Sequence, residues 1–98
     1  MTYYCYLDEM QNFCLRASNA FKVIKPENPL LVDFYAAAEE GFFHQKQNCA
    51  AVDAKVPAGE VKVRCLEEFK QTLLKWEEQA AYTLKEQNDA RESKRTTA

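Results

Sequence analysis

Apolar and small side chains return at alternating intervals of four and three from the start of the chain: Tyr3, Leu7, Met10, Cys14, Ala17, Phe21 and Ile24. That spacing keeps one stripe of an α-helix turned toward a neighbour. Tyr6, Phe13 and Ala20, each one position before the stripe, widen it. The helix should end near Ile24, because Lys25 precedes Pro26 and is biased out of helical dihedrals. Asn28-Pro29 then reads as an N-cap followed by proline at the first helical position. A second stripe runs through Leu31, Tyr35, Ala38, Phe42, Gln45, Cys49 and Val52, and Val56-Pro57-Ala58-Gly59 breaks it. The third carries Leu66, Phe69, Leu73, Trp76 and Ala80, and continues in polar form through Thr83 and Gln87.

These stripes predict an all-α fold, a single domain over residues 1–88 with helices at about 3–24, 29–54 and 58–88. Connections of roughly four to six residues force consecutive helices to run antiparallel, giving an up-down-up three-helix bundle. Hairpins exchanged between two chains of a dimer would satisfy the same seams. Residues 89–98 are polar and lack apolar periodicity, so a frayed, mobile C-terminal tail is expected there. Gly41 sits mid-helix beside Ala36-Ala37-Ala38. It implies either close approach of a neighbouring helix backbone or a kink.

Composition narrows the function classes. With 98 residues, 47% of them apolar, the chain can fold around one core without staples. A formal net charge of −2 suits no protein whose main task is gripping phosphate backbones. Basic side chains alternate with acids along the third helix, and only Arg91, Lys94 and Arg95 cluster, too few to dominate nucleic-acid binding. The opening residues show no basic stretch and no apolar leader core, and no apolar run approaches the ~20 residues of a membrane span. A cytoplasmic protein with reduced thiols is the expectation.

Candidate chemistry is sparse. Folding at the two turns brings Cys49 level with Cys65 and near Cys5, a layer that could hold zinc or form a labile disulfide. No paired cysteine spacing supports this, and Cys14 and Cys49 fall on apolar stripes, where a thiol acts as a small hydrophobe. Glu40 and His44, four apart on one helix face, could pair as acid and base, yet no nucleophile accompanies them. Adjacent carboxylates at Asp8-Glu9, Glu39-Glu40, Glu67-Glu68 and Glu77-Glu78 read as solvated faces paired with Lys46, Lys70 and Lys75. Two glycines, Gly41 and Gly59, cannot build a phosphate-binding loop. The expectation is no catalytic, cofactor or metal site.

Apolar residues outside the stripes say more. Tyr4, Leu15, Leu30, Phe43, Leu74 and Tyr82 are either the edge of a wide core or a partner-binding surface. The leading expectation is a non-enzymatic protein-binding module: an adaptor, an assembly chaperone or an inhibitor of a larger protein machine, of a size that suits a bacterial or phage regulator. A homodimer is a linked expectation. The alternative is an oligomeric sponge for a small ligand or nucleotide, with nucleic-acid binding ranked below it.

Overall fold

The Thr2 hydroxyl accepts a hydrogen bond from the Cys5 N–H at 3.2 Å, capping the first helix. That helix, α1, runs over Tyr3–Ile24 and stops as the Lys25-Pro26 pair predicts, Lys25 leaving helical dihedrals at φ −136° and ψ 55°. The computed structural model describes the backbone of residues 1–96 and the side chains of residues 1–90. After α1 come α2 (Pro29–Gln47), a single turn α3 (Ala51–Ala54) and the long α4 (Glu60–Thr96). The fold is all-α. Among the described residues the only extended pairing is an isolated bridge between Thr2 and Pro57.

Three local features depart from the expected pattern. Asn28 occupies the N-cap position of α2, but its side chain makes no capping hydrogen bond. The second helix ends at Gln47 rather than near residue 54, so the connection to α4 spans 48–59 instead of four to six residues. Its far end is tied to the start of α1: the Tyr3 N–H donates to the Val56 carbonyl at 2.7 Å, and the Ala58 N–H to the Met1 carbonyl at 3.0 Å. Gly59, at φ +98°, then turns the chain into α4, a conformation that costs glycine little. Finally, α4 is helical through Thr96, where a frayed tail was expected from residue 89, and Thr97 and Ala98 lie outside the described residues. No glycine or proline follows Gly59, and Lys, Glu, Gln, Ala and Arg dominate the segment after Leu84. Those residues propagate a helix already nucleated by packing.

Helix α1 lies at the centre. It runs antiparallel to α2, with Lys46 on Asp8 at one end and the Ser18 hydroxyl donating to the Val32 carbonyl toward the other. It runs parallel to α4, with Lys70 on Glu9 and Arg16 on Glu77. Among the described residues no Cα of α2 comes within 8 Å of one of α4. Directly packed helices lie ~8–10 Å apart axis to axis, so α2 and α4 flank α1 without closing backbone-to-backbone. The chain is correspondingly long, 64 × 22 × 19 Å. Its radius of gyration is 17.6 Å, against roughly 13 Å for a compact chain of this length.

The core is the α1–α4 seam: Met10, Phe13, Cys14 and Ala17 of α1 against Leu66 and Leu73 of α4. The α1 stripe is buried from Leu7 to Phe21, as its spacing predicts. On α4, Leu66, Leu73 and Ala80 are buried, while Phe69 and Trp76 are partly open. The second stripe fares differently. Helix α2 buries none of its residues; Leu31, Tyr35, Ala38 and Phe42 are half-covered, and Val52, beyond its end, is exposed.

Leu73 and Leu74 are adjacent but face opposite environments, 1% and 54% exposed. Leu73→Ala should cost about 2–5 kcal/mol through lost transfer energy and a residual cavity. Leu74→Ala should stay within about 0.5 kcal/mol. Urea unfolding of the two variants checks this.

Candidate functional site

Aromatic side chains fill the space that α2 and α4 leave between them. Phe13 of α1 stacks on Phe69 of α4 at 5.4 Å and meets the edge of Tyr35 of α2 at 6.1 Å. Phe21 lies 4.8 Å from Trp76 and 5.6 Å from Tyr35, and Tyr35 and Trp76 meet each other at 6.0 Å. Pairs in these offset and edge-on arrangements add about 0.5–1.5 kcal/mol each beyond their burial. The rings join α2 to α4 at depth. Above them the two helices stay apart.

The result is an open groove of about 500 Å³, floored by Met10, Phe13 and Cys14 and walled by Phe34, Ala38 and Phe42 on one side and Phe69, Thr72 and Trp76 on the other. Its lining holds no charged side chain. The Thr72 hydroxyl donates to the Glu68 carbonyl of its own helix, so even that group makes little demand on a ligand. Phe34 is 64% exposed and Phe69 40% exposed. An apolar cleft of this kind has the shape and chemistry to accept an apolar helix face or a hydrophobic side chain.

A second hollow, about 640 Å³, lies at the end of the molecule that holds the 48–59 connection. Tyr3, His44, Asn48, Cys49, Asp53 and Lys62 are among its lining residues. Lys62 sits over the Tyr3 and Tyr6 rings at 5.1 and 5.8 Å, which occupies its charge.

All six apolar residues singled out from the sequence are exposed, from 38% at Phe43 to 76% at Leu30, but they form no single patch. Leu30 lies in the first turn of α2, four residues before Phe34 and outside the groove lining. Phe43 packs beside the His44 ring at 5.8 Å, on another face of α2. Tyr4 lies under Lys46 near the start of α1, and Leu15 borders a polar hollow with Asp8, Glu9 and Asn12. Leu74 and Tyr82 face away from the groove on α4. Sequence reasoning assigned Phe42, Phe69 and Trp76 to a closed core and did not single out Phe34. The signal was present: Leu30, Phe34, Ala37 and Gly41 repeat the four-three spacing as a second stripe beside the first.

The remaining candidate chemistry disperses. All four cysteines are free thiols, and among the described residues no three His, Cys, Asp or Glu side chains converge, so Cys5, Cys49 and Cys65 do not gather into one cluster. Cys49 sits in the break after α2 rather than on a helical stripe. Glu40 and His44 are both exposed, with no hydrogen bond between them among the described residues. Several adjacent carboxylates tie helices together rather than facing solvent alone. Asp8 binds Lys46 at 2.7 Å, Glu9 binds Lys70 at 2.8 Å, Glu39 accepts from Gln11 at 3.0 Å, and Glu77 takes a two-pronged contact from Arg16. The side chains of Arg91, Lys94 and Arg95 lie outside the described ones. Among the described residues no helix is long and apolar enough to cross a membrane.

Compared with models of known protein families, with curated proteins and with solved structures, the chain matches none. The groove is therefore interpreted on its own geometry.

Burial in the groove floor pushes the Cys14 thiol up from 9.0 to about 11, with the Glu39 carboxylate adding to the effect. Burial likewise raises the phenols of Tyr6 and Tyr35. The folded thiol holds its proton more tightly than the unfolded one. Its contribution to stability is thus complete below pH 9.0 and lost as pH climbs through about 11. Cys14→Ala should flatten part of that alkaline decline in thermal melts, the tyrosines retaining the rest. In native alkylation near pH 8, Cys5 should label first and Cys14 only on unfolding.

Proposed function

We propose that the chain is a non-enzymatic protein-binding module whose working surface is the groove between α2 and α4. The three long helices serve as an open up-down-up scaffold: α1 forms the floor, and its neighbours form two walls. An amphipathic helix or apolar loop of a partner lies between the walls, with its large side chains against Phe34, Phe42, Phe69 and Trp76. The observation that carries this reading is a groove lined by aromatic side chains, free of charge and open to solvent. Such a module can act as an adaptor, an assembly chaperone or an inhibitor of a larger protein machine. Four free thiols suit a reducing compartment, which makes the cytoplasm its proposed place of action.

The hollow at the other end favours a second reading, a small-ligand or nucleotide binder that uses Tyr3 and Lys62. Lys62 is already engaged by two rings, which ranks this below the groove. A nucleotide at 100 times its dissociation constant would add about 2.7 kcal/mol of stability, readable as a thermal shift.

Tagged protein incubated with nuclease-treated lysate of its native host should retain a stoichiometric protein partner. Phe34→Asp and Thr72→Lys, both at exposed positions of the groove lining, should weaken that capture at least tenfold, about 1.4 kcal/mol, with helicity and melting temperature preserved. Capture unchanged in both variants would remove the groove from the reading. Capture lost on nuclease treatment would restore nucleic-acid binding.

A further inference from the structure

Helix α2 is the least buried of the three long helices. The cluster at the centre of the core takes all six of its members from α1 and α4, and α2 adds only the half-covered Tyr35, Ala38 and Phe42 at its edge. No residue of α2 is fully buried. Three polar contacts supplement the rings: Lys46 to Asp8 at 2.7 Å, Gln11 to Glu39 at 3.0 Å, and the Ser18 hydroxyl to the Val32 carbonyl at 3.1 Å. The Asp8 side chain is 60% exposed, and an ion pair open to water adds little to stability.

Two features lower the cost of opening. Asn28 stands at the N-cap of α2, but its side chain makes no capping bond, so the first-turn amides lack that partner. At the α1–α2 contact the Gln11 amide donates to Glu39 through Nε2, while its Oε1 is buried with no hydrogen-bond partner in the protein. A buried acceptor left unpaired destabilises the closed arrangement, and lifting α2 returns it to water.

The connections allow the movement. The turn 25–28 before α2 is closed by one bond, from the Asn28 N–H to the Lys25 carbonyl at 3.0 Å. After α2, Val56 and Ala58 are bonded to Tyr3 and Met1, which fixes the junction with α4. Residues 48–55 make no backbone hydrogen bond to α1 or α4 among the described residues, so the slack lies there.

We propose that α2 is a hinged wall: it lifts from α1 as one unit about 25–28 and 48–55, while α1 and α4 stay packed. Lifting widens the groove and uncovers the faces of Phe13 and Phe21 that Tyr35 covers. An element with few buried contacts opens at a lower free energy than the whole molecule unfolds. The hinge belongs to the free chain and goes beyond the docking reading, which concerns only what the groove receives.

Native-state hydrogen exchange in sub-denaturing urea tests it. A detached helix of 19 residues is only marginally stable in water, so its amides exchange once it lifts. After correction for intrinsic rates, amides of residues 35–47 should exchange together, at least about tenfold faster than those of 10–21 and 66–76 and with a weaker dependence on urea. Ala80→Gly, on the side of α4 that faces Arg16 and Asn19, should speed α1 and α4 about fivefold and leave α2 unchanged. Amides of α2 as slow as those of α1 and α4, or speeding with them in Ala80→Gly, overturn the proposal, because α2 then opens only in global unfolding. Rates graded from the ends of α2 toward its middle overturn it too, since that pattern is fraying. Failure here leaves the docking reading to its capture test, and a failed capture leaves the hinge standing.

Discussion

The packing of Phe13, Phe21, Tyr35 and Trp76 against one another is the interaction on which the rest of the structure depends. These rings come from three helices, and their centroids lie 4.8–6.2 Å apart. They hold α2 and α4 to α1 by burying large apolar surfaces. They also act as a spacer, because an indole and a phenol ring wedged between two flanking helices keep their backbones from meeting. Smaller residues at Tyr35 and Trp76 would let α2 and α4 close over α1 and shut the groove. The same side chains thus supply cohesion at depth and the opening above it.

Polar contacts fix the register around this wedge. Asp8 with Lys46 and Gln11 with Glu39 set α2 against α1, while Glu9 with Lys70 and Arg16 with Glu77 set α4. The carboxylates and cations are all partly exposed, so each pair contributes at most about 1 kcal/mol. Their value is positional: the connections set α2 antiparallel and α4 parallel to the central helix, and these pairs hold the register. Backbone hydrogen bonds from Tyr3 to Val56 and from Ala58 to Met1 close the far end, where side-chain packing thins out. The molecule is therefore braced along α1 and apolar along one open side.

That open side explains why the chain carries more apolar surface than its core uses. Helix α2 has two apolar faces, one half-covered by α1 and one along Leu30, Phe34, Ala37 and Gly41 that is exposed among the described residues. A helix with a wide apolar sector is stable in water only when something packs against it. The thiol of Cys14 beneath the floor plays no chemical part in this. Its burial keeps it protonated and inert.

The sequence by itself determined the helices and their order. The four-three spacing from Tyr3 to Ile24 gives α1 its buried stripe, the Lys25-Pro26 and Asn28-Pro29 pairs mark the first turn, and Leu66, Leu73 and Ala80 declare the inner face of α4. These are local properties, set by periodicity and by backbone restrictions at proline. The end of α2 at Gln47 was not legible, because the bonds that draw 56–58 onto Met1 and Tyr3 join residues more than fifty positions apart. The persistence of α4 to Thr96 was hidden for another reason. Periodicity reports packing, whereas a helix already nucleated can propagate on propensity alone. The groove itself was decided only by tertiary structure. A stripe of apolar residues shows that a face is sticky, but the bulk of Tyr35 and Trp76 at the crossing fixes how far apart two flanking helices stand, and hence whether Phe34, Phe42 and Phe69 meet one another or the solvent.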